Sequence, residues 1–140
     1  MRTAIRRAWR YLQPKIPSPC PTSLPLVTLG SPHGAKTFLD TGDLEHSLLI
    51  SGGVGEDISF DVEFSRLYRA NIILVDPVPR ARIHVEDVLA RIGRSSDASY
   101  SMDGSQRPEA YNLSGIESGR ISFSARALWQ NAGRSIKLYP

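Results

Sequence analysis

The chain has 140 residues, 41% of them hydrophobic and 22% charged, which fits one ordinary globular domain. No apolar run approaches the roughly 18–20 residues of a membrane span, and the single cysteine, Cys20, excludes an internal disulfide and points to a reducing, cytoplasmic compartment. The net charge of +3 gathers at Arg2, Arg6, Arg7 and Arg10, and the remainder is close to neutral, so a nucleic-acid surface would rest on the amino end alone.

Residues 3–13 place Ile5, Ala8, Trp9 and Leu12 at helical spacing with arginines on the other face. Three readings stay open for this stretch: a peripheral helix, a targeting or membrane-surface segment, and a nucleic-acid contact. It has no apolar run of the kind a secretory signal carries. Pro14, Pro17, Pro19, Pro21 and Pro25 then favour an extended connector. Residues 1–25 thus read as a basic amphipathic and proline-rich segment ahead of a domain over 26–140. Within that domain, 26–30 predicts a short strand, 31–34 a turn, and 35–47 irregular structure or a small hairpin.

The central unit follows. Residues 47–51 predict a strand and 52–57 a glycine turn. Residues 58–69 predict a helix, with Ile58, Val62, Leu67 and Tyr68 facing a sheet, Phe60 and Phe64 nearby, and Asp57 and Ser59 as caps. Asn71 to Asp76 predicts a second strand. Pro77 and Pro79 suit a helix start, and 80–92 carries Ile83, Val85, Val88, Leu89 and Ile92 as a buried stripe that Gly93 ends. Residues 94–110, rich in Ser, Asp, Gly, Gln and Arg, read as a mobile surface loop or insertion. Residues 119–129 alternate like a strand, 131–133 turn, and 135–139 alternate again.

The strand, glycine loop, helix, strand and acid in this order point to chemistry. Glycines after a first strand let the backbone approach a ligand closely, and Asp76, about 20 residues on, can accept both hydrogen bonds of a ribose diol. The bland alternatives are a plain tight turn and a carboxylate cap before Pro77. Ile58 stands where a dinucleotide fingerprint needs a third glycine, and Glu56 and Asp57 would repel a pyrophosphate. Those acids suit a ligand carrying positive charge, such as a sulfonium with an α-amino group. His33 lies in a turn from which it can reach a cleft, His84 reads as a surface residue, and neither these nor His46 is assigned as a base. No metal-ligand set is present.

Gly-Val-Gly-Glu-Asp-Ile-Ser-Phe-Asp at 53–61, with Val-Asp-Pro-Val-Pro-Arg-Ala at 75–81, resembles the FkbM-like family of S-adenosylmethionine-dependent methyltransferases. Leu-Gly-Ser-Pro-His-Gly at 29–34 and the segment from Ala127 to Pro140 are similar to flanking stretches of such proteins. Val78 stands where the family usually has threonine, and Ser51 where many methyltransferases carry an acid. The resemblance implies an α/β, Rossmann-like methyltransferase fold. It implies that Gly53, Val54 and Gly55 pass under the methionine part of S-adenosylmethionine, that Asp76 holds the ribose hydroxyls, and that Asp57 helps bind the amino group or a water next to it. The implied reaction is O-methylation of a sugar or small metabolite.

The 93 residues from Leu48 to Pro140 supply only the first half of such a sheet. The expectation is therefore a shortened chain with weak or absent catalysis and an exposed sheet edge that favours self-association. A non-catalytic Rossmann-like remnant or binding domain is the alternative. A nicotinamide-dependent half-domain ranks below both.

Overall fold

The computed structural model describes Ser23 and residues 25–127. The expected helix over 3–13, most of the proline-rich connector, the turn at 131–133 and the strand at 135–139 lie outside the described residues. The fold is mixed α/β. Strands β1 (Leu26–Leu29) and β2 (Lys36–Leu39) form an antiparallel hairpin. Strands β3 (Leu48–Gly52), β4 (Asn71–Val75) and β5 (Ile121–Ser124) form a parallel sheet in the order β3-β4-β5. Helix α1 (Ser59–Tyr68) joins β3 to β4. Helix α2 (Pro79–Leu89) and a 3-10 turn (Pro108–Ala110) lie between β4 and β5.

Two right-handed crossovers stepping in the same direction put their helices on the same face of a sheet. The burial follows that rule. Ile72, Leu74 and Ile121 form one core with Ile58, Val62, Val85 and Val88 of the helical layer, closed by Tyr111, Leu113 and Ile116. On β3, Leu49 packs against this core, whereas its neighbours Leu48 and Ile50 are 60% and 58% exposed. The sheet therefore has one covered face and, among the described residues, one open face.

The hairpin covers the outer side of α1. Phe38 of β2 packs on Phe60, Phe64 and Tyr68, with ring centroids 5.4–6.0 Å apart. Tyr68 Oη also donates to Asp40 Oδ2 at 3.0 Å. This second cover corrects the expected helix phase: Phe64 and Tyr68 are buried by the hairpin, whereas Leu67 is 57% exposed. In α2 the buried stripe is Ala81, His84, Val85 and Val88, and Ile83 points outward. Residues 94–110 form a largely exposed loop, as expected, but one that is tied down at two points. Gln106 and Ala110 are buried, and the segment returns to the glycine turn.

Candidate functional site

The glycine turn begins where β3 ends. Gly53 N donates to Val75 O at 2.9 Å, continuing the β3–β4 ladder by one bond. The chain then reverses with Gly53 at φ +69° and Gly55 at φ +57°, a region that side-chain-bearing residues seldom occupy. Gly55 N donates to Asp76 Oδ2 at 2.9 Å, and Val78 N donates to Asp76 Oδ1 at 2.8 Å. Asp76 is buried at the tip of β4. One carboxylate thus ties the glycine bend to the start of α2.

Asp57 is held from three directions. Its Oδ1 accepts from Ser59 N (3.0 Å), the first residue of α1, whose N-cap position is Ile58 and not Asp57 or Ser59 as expected. Its Oδ2 accepts from Ser31 Oγ (2.6 Å) and Gln106 Nε2 (3.3 Å). Ser31 N in turn donates to Ser59 Oγ at 2.7 Å, which bolts the β1–β2 turn to α1. Gln106 N donates to Glu56 O at 2.9 Å, and its side-chain amide also donates to the carbonyls of Ser101 and Asp103. The 94–110 segment is thereby anchored over the turn.

Behind the turn, Ile58 N donates to Tyr111 Oη at 3.2 Å, and Tyr111 Oη lies 2.9 Å from His84 Nε2. Burial holds the His84 pKa below its ordinary value and pushes the Tyr111 hydroxyl well up. The hydroxyl therefore keeps its proton and shares a hydrogen bond with the imidazole, the donor being set by the histidine tautomer. His84 is only 7% exposed, so the expectation of a surface histidine is corrected. Sequence spacing misses it because a lone histidine between Ile83 and Val85 gives no sign of the distant Tyr111.

A cleft of about 270 Å³ opens beside the turn, lined by residues 51–57 together with His33, Lys36, Phe60 and Asp61. Gly53, Val54, Gly55 and Asp57 all lie on its wall; Asp76 does not line it but meets Gly55 from behind. His33 reaches the cleft, whereas His46 is exposed beside Glu45.

Sequence reasoning missed Asp61. It sits in the first turn of α1, where an acid reads as a complement to the helix dipole. In the fold it is 4% exposed, and its Oδ1 has no hydrogen-bond partner among the described residues. Burial raises its pKa to about 6; nearby Ser51 and Lys36 lower it in part, and Asp57 adds to the rise. Its place four residues after Asp57, just inside the helix, is the one signal the sequence offers.

Among the described residues no group of three or more His, Cys, Asp or Glu side chains is arranged to hold a metal, and no helix is long and apolar enough to cross a membrane. No family model, curated protein or solved structure matches the chain.

Proposed function

We propose that the chain is a Rossmann-like, S-adenosylmethionine-dependent methyltransferase domain acting on a hydroxyl of a sugar or small metabolite. The observation that carries the reading is the meeting of Gly55 and Asp76 at the carboxyl ends of two adjacent parallel strands. Ligands of open α/β sheets bind outside those strand ends. Asp76 accepts one bond on each oxygen, which leaves a lone pair on each for a ribose hydroxyl.

The donor set fits a cationic cofactor better than a pyrophosphate. Glu56, Asp57 and Asp61 line the cleft, and a buried carboxylate oxygen without a partner favours a positive group. In this reading Gly53, Val54 and Gly55 offer the backbone close approach and Asp57 frames the bend. The cofactor supplies an electrophilic methyl group on sulfur, and the residues of this chain bind and orient it.

A second reading, a non-catalytic Rossmann-like binding domain, is favoured by the open sheet face. Leu48 and Ile50 lie exposed on β3, whose outer edge pairs with no other strand among the described residues. That edge supports association with another chain.

Calorimetric titration with S-adenosylhomocysteine separates the cofactor reading from its rivals. Micromolar binding by the wild-type chain, weakened by about tenfold or more in Asp76→Asn, is the expected result. Binding of NAD in its place, or no binding of either ligand, would sink the reading.

A further inference from the structure

We propose that a second cleft, between α2 and the 105–108 stretch, binds a neutral polyhydroxyl ligand the size of one sugar ring, with the free ring nitrogen of His84 at its floor. The proposal goes beyond the cofactor reading and does not rest on it. Only Glu56 lines both this cleft and the one beside Gly53, Val54 and Gly55.

The cleft has a volume of about 310 Å³, at the small end of ligand pockets. Its wall carries Glu56 from the glycine turn, Arg80, Ile83, His84 and Asp87 from α2, and Arg107. Positions 80, 83, 84 and 87 recur at the spacing of one helical face, so α2 presents them side by side.

Three observations argue for hydroxyl groups as the ligand. The first is His84, which is 7% exposed and held at Nε2 by Tyr111 Oη. Its Nδ1 makes no hydrogen bond among the described residues and is not one of the fully enclosed orphan atoms, so it opens to the cleft that the ring lines. A neutral imidazole donates from this nitrogen in one tautomer and accepts there in the other. A hydroxyl answers both forms, whereas an ammonium only donates and a carboxylate only accepts.

The second observation is the charge pattern. Glu56 and Asp87 balance Arg80 and Arg107 on the same wall, and the two signs are intermixed, with Arg80 Nε 3.7 Å from Glu56 Oε2. An anion would meet two carboxylates there and a cation two guanidinium groups. Neighbouring hydroxyls accept from the guanidinium groups and donate to the carboxylates. Asp87 and Arg107 form no salt bridge among the described residues, which leaves both open to such a ligand. The third is Ile83, 60% exposed, which offers an apolar patch to the C–H face of a ring.

The test titrates the full chain, without cofactor, with D-glucose, D-galactose and D-mannose as neutral probes and with D-glucosamine and D-glucuronate as charged ones. At least one neutral hexose is expected to bind with a Kd of about 1–10 mM. Its binding is expected to move the amide signals of Ile83, His84, Asp87 and Arg107 and the nitrogen resonance of His84 Nδ1. The charged probes are expected to bind at least about threefold more weakly than that hexose.

Asp87→Ala and Arg107→Ala alter exposed side chains and are expected to keep the wild-type Tm. Each is expected to weaken the neutral hexose by roughly 3- to 10-fold. Silence of these signals toward all three neutral hexoses up to about 100 mM would overturn the assignment. Tighter binding of either charged probe, or unchanged affinity in both variants, would overturn it as well. Because the titration contains no S-adenosylhomocysteine, its outcome is separate from that of the cofactor reading.

Discussion

Asp76 accepts the Gly55 amide at 2.9 Å on one carboxylate oxygen and the Val78 amide at 2.8 Å on the other. The same acid that the sequence offers to a ligand therefore shapes the bend against which that ligand would lie. Two roles meet in one side chain, and a substitution there disturbs both.

Asp76→Ala leaves two amide donors beside a buried position without acceptors. The expected loss of stability is about 2–4 kcal/mol, with a smaller loss in Asp76→Asn, which keeps one acceptor. Urea denaturation measures it. A wild-type midpoint in Asp76→Ala would show that the bend holds its shape unaided.

The Asp61 carboxyl titrates at about 6 in the fold against an ordinary 3.8. Between those values the folded state holds the proton more tightly than the unfolded state, so this group's contribution to stability falls as pH rises. Above pH 6 the ionised group lowers stability by an amount on the order of 3 kcal/mol. The stability of Asp61→Asn relative to wild type is expected to climb from pH 4 and level off above pH 7. Thermal melts across that range check it, and a difference independent of pH would contradict a raised Asp61 pKa.

His84 acts with the opposite sign. Its folded pKa lies below the ordinary 6.5, so the stability it contributes is lost as pH falls through the lowered value. Tyr111→Phe removes the hydroxyl that joins Ile58 N to His84 Nε2 and is expected to cost about 1–3 kcal/mol. The loss should read out as a lower denaturation midpoint near neutral pH. Retention of the wild-type midpoint would mean that the hydroxyl bridge adds nothing.

Gln106 gathers the 99–107 segment onto the turn through Ser101, Asp103, Glu56 and Asp57. Gln106→Ala is expected to speed amide exchange at Ser101 and Gln106 by at least about tenfold while leaving β4 protected. The global loss is expected to be about 1–2 kcal/mol. Unchanged exchange at Ser101 would remove the side chain as an anchor.

The run from β3 through α2 is legible in the residue string because its signals are short-range. Apolar runs at 48–51 and 71–75, glycines at 52–55, helical spacing from Ile58, and prolines at 77 and 79 each act within a few residues. The same locality makes Gly53, Val54, Gly55 and Asp76 recognisable as one unit.

What the string could not decide depends on partners far along the chain. Leu67 and Tyr68 differ in burial because the β1–β2 hairpin, not the sheet, covers that side of α1. His84 is inside because Tyr111 arrives 27 residues later, and the turn is closed by Gln106, 49 residues beyond Asp57. Asp61 gains its unusual proton affinity only from its burial in the folded chain. Periodicity reports which face of an element is apolar, whereas the tertiary contacts decide which polar groups lose their solvent and which of them find a replacement.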